Sequence, residues 1–193
     1  MPAVPSIKAT GFQSAADDLE RLVREGRLTR AELEAQLEPE DRAFLGKQLA
    51  VSSWVPIATY TRALEILIVL EAGRDVQQYL RSRGKRAAER LHKMGIYGQF
   101  DAKIETWGHR VGTITATIGA VLYNFTRWSF ESDEESGTFH LTVDDARDYP
   151  DHLRSIGEGF IQYLAERLLT GMKVEVTSER VAPDRVVYRG RFE

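Results

Sequence analysis

The chain has 193 residues, a formal net charge of −3, 42% hydrophobic and 28% charged residues, and no cysteine. That balance belongs to a globular domain able to bury a sizeable core, and it excludes disulfides, thiol nucleophiles, iron–sulfur clusters and cysteine zinc sites. A mildly acidic chain has no global field drawing it to nucleic acid or an anionic membrane, and a cysteine-free one suits a reducing cytoplasm.

The first residues, Met1-Pro-Ala-Val-Pro-Ser-Ile-Lys8, lack the apolar run and cleavage site of a signal peptide, and residues 1–11 read as a loose arm. Ser14-Ala-Ala-Asp17 and Thr29-Arg-Ala-Glu32 both fit a capping box, in which a hydroxyl accepts a backbone N–H and a carboxylate reaches back. Leu19, Leu22 and Val23 suit one short amphipathic helix ended by Gly26. Leu28, Ala31, Leu33 and Leu37 suit a second, and Pro39 opens a brief turn through Phe44. Leu49-Ala-Val-Ser-Ser-Trp-Val-Pro56 reads as a junction whose proline starts a helix. Tyr60, Leu64, Leu67 and Ile68 follow helical spacing, and Ile57, Ile66, Val69 and Leu70 widen the apolar surface into that of a buried helix stopped by Gly73. Asp75 caps the next helix, which runs to about Met94 with Gly84 inside it. Residues 96–107 read as a short helix with Phe100, Ile104 and Trp107.

Val111 to Tyr123 is rich in β-branched residues, yet Gly112, Ala116 and Gly119/Ala120 recur at helical spacing. We read it as a helix whose small-residue stripe allows close approach of another element. The uncharged run Val111 to Phe125 is 15 residues long, short of the ~20 a bilayer-spanning helix needs, so no membrane insertion is expected.

The last seventy or so residues read as two strands, a helix and two strands. Trp128 and Phe130 share a face, as do Phe139, Leu141 and Val143, Val174 and Val176, and Val186, Tyr188 and Phe192. Arg127, His140, Arg189 and Arg191 fall on the other face. Such period-two alternation marks a half-buried antiparallel sheet. Asp133-Glu-Glu-Ser-Gly137 and Val181-Ala-Pro-Asp184 read as the hairpin loops. Between the hairpins, Leu153, Ile156, Phe160, Ile161, Leu164 and Leu168 form one apolar helix face, closed by Gly171. The fold class is therefore α+β, with N-terminal helices packed with a four-stranded antiparallel sheet of ββαββ order. Residues 1–45 are an arm with short helices, and residues 46–193 form the binding domain.

Signals for chemistry are sparse. The four histidines, His92, His109, His140 and His152, are too far apart in sequence to make a metal-binding helix face. The acidic run Asp144 to Asp151 lacks calcium-loop spacing, and Asp148 or Asp151 more simply starts a helix. Arg81, Arg83, Lys85, Arg86, Arg90 and Lys93 make a basic segment without interleaved aromatics, read as a solvated helix face rather than a nucleic-acid surface. No nucleophile elbow, phosphate loop or dinucleotide fingerprint is present in the sequence. Gly157-Glu-Gly159 lies in a helix with no strand leading into it, and these glycines are expected to let that helix lie close on the sheet.

The segments Tyr149-Pro-Asp-His-Leu-Arg-Ser-Ile-Gly-Glu-Gly-Phe-Ile161, Gly171-Met-Lys-Val-Glu-Val176 and Val186-Val-Tyr-Arg-Gly-Arg-Phe192 resemble a superfamily. It comprises 4-vinyl-reductase-type domains, haem–nitric-oxide-binding domains and small TRAPP-complex subunits. Ser53-Trp-Val-Pro-Ile-Ala-Thr-Tyr60, Tyr79-Leu-Arg-Ser-Arg-Gly84 and Gly95-Ile-Tyr97 further resemble proteins abundant in myxobacteria and their relatives. The resemblance implies a sensing or interaction module that is often dimeric. The haem-binding branch carries a Tyr-x-Ser-x-Arg motif that this sequence lacks, and the cysteine that anchors acyl chains or metal in some relatives has no counterpart. No cofactor or metal is therefore expected.

The resulting expectation is a non-enzymatic homodimer in bacterial regulation that takes a small apolar ligand or a protein partner. Trp128, Phe130 and Tyr188 would line the site from the sheet, and Gly157, Gly159 and Phe160 from the helix. The alternatives are an enzyme with a dispersed site around His109, Glu158 and Tyr163, and an assembly subunit without a ligand.

Overall fold

Far from trailing loosely, the N-terminal segment begins with a strand, β1 (Ser6–Lys8), paired antiparallel with β2 (Trp54–Pro56). The computed structural model that shows this describes residues 4–95, 107–133, 135–168 and 173–192, with the backbone alone for 107–110 and 168. The predicted helix at 96–107 and the Gly171 cap thus lie outside the described residues, except that Trp107 opens a later helix. The chain divides into two units, Met1–Val76 with Leu122–Asn124, and Gln77–Val121 with Phe125–Glu193.

In the first unit the arm is fastened by polar contacts that leave no trace in hydrophobic periodicity. Ser6 N–H donates to Asn124 Oδ1 at 2.7 Å, and Lys8 Nζ stands 3.8 Å above the Trp54 ring. Helix α1 (Ala9–Arg24) begins ahead of Ser14, so the capping box expected there does not form. It buries Phe12, Ala15, Ala16, Leu19 and Leu22, the 3–4 spacing of an amphipathic helix. The Thr29–Glu32 capping box does form and opens α2 (Arg30–Ala35). A 3-10 turn, Asp41–Phe44, precedes β2, and α3 (Ile57–Glu71) packs Tyr60, Leu64 and Leu67 into the same core. Asp41 is 1% exposed. Its carboxylate accepts from Thr59 Oγ1 at 2.5 Å, Arg62 Nε at 2.6 Å, Arg62 Nη2 at 2.8 Å and Glu38 N–H at 3.0 Å. This pins the turn to α3.

The second unit is a helix-covered sheet. The strands β3 (Arg127–Asp133), β4 (Thr138–Asp144), β5 (Val174–Ala182) and β6 (Arg185–Phe192) form an antiparallel sheet in the order β3-β4-β6-β5. The register pairs Trp128 with Val143 and Phe130 with Leu141, then Leu141 with Tyr188 and Val143 with Val186. The apolar residues therefore share one face, as their alternation predicts. Glu131, His140 and Arg189 stand in a row on the other. Strand β5 continues to Ala182 through an irregularity at Arg180/Ala182, which shortens the predicted four-residue loop to Pro183-Asp184.

Three helices complete this unit: α4 (Val76–Lys93), α5 (Trp107–Leu122) and α6 (Asp151–Leu168). The β-branched segment after Val111 is helical, and the Thr115 hydroxyl donates back to the Val111 carbonyl at 2.8 Å. Ile114 and Leu164 form a buried contact joined by Leu91, Ile118 and Phe160. Among the described residues no helix is long and apolar enough to cross a membrane.

Candidate functional site

The candidate site is an aromatic layer on the inner face of the second unit's sheet. Strand alternation sends Trp128 and Phe130 of β3, Phe139 of β4, and Tyr188 and Phe192 of β6 to that face. Trp128 stacks on Tyr188 with ring centroids 6.1 Å apart and meets Tyr149 edge-on at 6.2 Å. The Tyr149 and Tyr188 hydroxyls lie 3.2 Å apart, both buried, and Trp128 Nε1 donates to Thr126 Oγ1 at 3.0 Å. Phe130, Phe139 and Phe192 continue the layer at 6.1 and 5.5 Å. Each polar tip near Trp128 is thus satisfied, which lets an otherwise apolar surface carry tyrosine and tryptophan.

Two helices lie on these rings through glycine. A Cβ at Gly112 of α5 would fall 1.8 Å from the Phe130 ring, and one at Gly119 would fall 2.4 Å from the Trp128 ring. The two glycines are seven residues apart, two turns on one face, so the small-residue stripe is what seats α5 on β3. On α6, a Cβ at Gly157 would come within 2.4 Å of the Tyr188 hydroxyl.

The structure therefore brings Trp128, Tyr188 and Gly157 together, with Phe130 two residues along the same strand face. Gly159 belongs elsewhere. Its Cβ would meet the Arg81 carbonyl oxygen of α4 at 2.0 Å, because residues two apart on a helix point in nearly opposite directions. It lets two helices touch, which corrects the expectation that both glycines serve the sheet. Phe160 packs with the helices, beside Ile114 and Leu164. Tyr149 and Thr126 were missed; a tyrosine ahead of a helix-opening proline carries no periodic signal.

The charged candidates resolve into structural pairs. Glu158, 4% exposed, accepts from Arg81 Nε at 2.7 Å through Oε2 and from Ser178 Oγ through Oε1. Both oxygens are engaged, and Tyr163 is half-buried on the same helix. The side chain of His109, on the first turn of α5, is outside the described residues. The basic segment of α4 is not one solvated face: Arg83 is buried and donates to Tyr79 Oη at 3.1 Å, and Arg81 turns to Glu158. In the acidic run, Asp144 pairs with Arg185 at 2.7 Å, Asp145 with Arg127 at 2.6 Å and Asp151 with Arg180 at 3.3 Å.

In fold, the chain is similar to H-NOX proteins. Over 97% of its length it aligns with the Fe(II) unliganded H-NOX protein of K. algicida, at TM-score 0.64 and 11% identity, covering 97% of that chain. A single-site mutant of T. Tengcongensis H-NOX aligns at TM-score 0.64 and 11% identity, covering 97% of this chain and 98% of that one. The S. oneidensis H-NOX protein in its Fe(II)NO ligation state aligns at TM-score 0.64 and 11% identity over 97% and 99% of the two chains. No family model matches the chain, and no curated protein matches it in sequence. At this identity the likeness is one of fold, extending over nearly the whole of both chains, and it agrees with the haem–nitric-oxide-binding part of the sequence resemblance.

Proposed function

We propose that this chain is a non-enzymatic sensing module, a cytoplasmic homodimer that takes a small apolar ligand against its aromatic layer. The observation that carries the reading is the seat of α5 on β3, where Gly112 and Gly119 lie directly on the Phe130 and Trp128 rings. For an apolar ligand to enter there, α5 would lift off the rings, offering flat aromatic faces on one side and a helix face carrying two glycines on the other. Burial of that kind of surface is the main source of affinity for an apolar guest. Trp128, Phe130, Tyr188 and Gly157 would touch the ligand, while Gly159 and Phe160 set the position of α6 against its helical neighbours.

The relatives in fold are Fe(II) and Fe(II)NO proteins, so the fit of this chain to an iron centre needs testing against its own donors. His140 is exposed on the outer face of β4, and His92 Nε2 accepts from Arg167 Nε at 3.3 Å. Among the described residues no three His, Asp or Glu side chains are grouped to hold a metal ion. One imidazole suffices to hold haem iron and the His109 side chain lies outside the described residues, so the reading without haem rests on the sequence, which lacks the Tyr-x-Ser-x-Arg motif of the haem-binding branch. We read the chain as a branch of the superfamily that senses without haem, akin to its myxobacterial and TRAPP-like members.

Native mass spectrometry of freshly purified protein, beside its denatured mass, tests this reading. A dimer that releases a small apolar adduct, with the adduct lost in Trp128→Ala, is the expected result. A bare monomer that takes up no apolar probe would overturn it, and a bare oligomer would point to an assembly subunit.

A further inference from the structure

A second feature of the same unit is polar and lies away from the strand that carries Trp128 and Phe130. A cleft of about 570 Å³ opens along β5, lined by Arg81, Gln162, Glu166, Lys173, Val174, Glu175 and Val176. That volume suits a small metabolite. Arg81 is fixed in place, since its Nε is held at 2.7 Å by the buried carboxylate of Glu158, which Ser178 Oγ secures in turn. Among the described residues its Nη2 makes a long 3.4 Å contact to the Val176 carbonyl. A guanidinium anchored through Nε presents its terminal nitrogens as a ready fork for a carboxylate.

The strand edge adds backbone groups. The Val176 and Ser178 carbonyls accept from Arg81 and Arg154, so even-numbered residues of β5 turn their peptide groups away from β6. By the alternation of an antiparallel ladder, the Val174 N–H and C=O face the same open edge. The lining is mixed in sign. Lys173 and Arg81 are cationic and Glu166 and Glu175 anionic, with Gln162 Nε2 holding Glu166 Oε1 at 2.9 Å. The lining thus carries two cations and two carboxylates, a balance that suits a ligand bearing both signs.

We propose that this cleft binds a small zwitterion of the α-amino-acid class. Its carboxylate lies against Arg81 and Lys173, and its ammonium against Glu166 and Glu175. The assignment is independent of the apolar site on β3.

Isothermal titration of the full-length chain with the common L-α-amino acids, and with acetate and methylamine as single-charge controls, decides it. At least one amino acid should saturate below about 1 mM, with neither control doing so. Lys173 and Glu175 are exposed, so Lys173→Glu and Glu175→Lys should leave the fold intact, checked by circular dichroism, and each should weaken binding about tenfold. Absence of saturation by any amino acid, equal saturation by acetate, or unchanged affinity in both variants would overturn the proposal.

Discussion

Glycine does two kinds of work here: turning the chain after a helix, as in the first unit and again at Gly95 of the second, and allowing close approach, which is concentrated in the second. In the first, Gly26 and Gly73 follow the ends of α1 and α3 with φ of +70° and +60°, and nothing lies within 4 Å of where a Cβ would point. They reverse the chain after a helix, which only a residue at ease in the left-handed region does cheaply. In the second unit, Gly84, Gly112, Gly119, Gly157 and Gly159 sit inside helices, and a Cβ at any of them would collide with a ring or another helix's backbone. The first kind sets direction and the second sets distance. Side chains lock the first unit, as at Asp41 and Arg62, whereas the second depends on what is missing from its helix surfaces.

The contrast breaks most visibly at Gly84. A Cβ there would lie 1.9 Å from the Ile156 carbonyl oxygen and 2.8 Å from the Phe160 nitrogen. Backbone cannot rotate aside as a flexible side chain does, so Gly84→Ala should destabilise by about 3 kcal/mol, read as a lower urea midpoint. Gly84→Asn should fare no better, because the defect is volume rather than dihedral angle.

The matching test of the first unit is Arg62→Leu, which leaves Asp41 buried without its cation and should cost about 2 kcal/mol at neutral pH. Burial raises the Asp41 pKa, but the hydrogen bonds from Arg62, Thr59 and the Glu38 N–H together hold it below the ordinary carboxylate value. A depressed folded pKa contributes stability that is complete above the unfolded value, near 3.9, and is lost as pH falls through the folded one. The stability gap between wild type and Asp41→Asn should therefore be constant from pH 7 down to about 5 and narrow below 4. Urea midpoints measured across that range check the sign.

How much of this was legible in sequence follows from the same contrast. The four-stranded sheet and its inner aromatic face could be read directly, because burying one face forces period two. So could the helical character of the segment after Val111, since Gly112 and Gly119 recur at two turns. The three-residue pairing of β1 with β2 was not legible, as such short strands have no period and Pro56 reads as a helix start. Gly84 and Gly159 looked like a weakness in one helix and a sheet contact in another. Their partnership spans 75 positions of sequence and exists only where α4 crosses α6. The α6–β5 cleft escaped notice for the same reason, since Arg81 and Lys173 share no motif.

A milder probe of the comparison is Gly73→Ala. The space is open, so only the left-handed backbone is strained, at about 1 kcal/mol. Gly73→Asn should recover part of that loss because asparagine tolerates the conformation. Recovery at Gly73 together with none at Gly84, in one set of urea titrations, would separate direction from distance. Equal rescue at both positions would erase the distinction.

The smallest effect is expected at Tyr188, and it carries the finest information. Tyr188→Phe removes a hydroxyl 3.2 Å from that of Tyr149. Tyr149 keeps the Leu153 carbonyl as an acceptor at 3.5 Å, so the loss should be below about 1 kcal/mol. The same hydroxyl is the atom nearest a Cβ at Gly157, at 2.4 Å, with the ring carbon behind it at 2.7 Å. Removing it relieves the closest clash and leaves the next. Gly157→Ala should consequently cost less in a Tyr188→Phe background than in wild type, though still more than nothing. A double-mutant cycle reads that difference directly. Strict additivity would mean that α6 does not rest on Tyr188 through Gly157, and the seat of this helix on the aromatic layer would have to be sought elsewhere along its face.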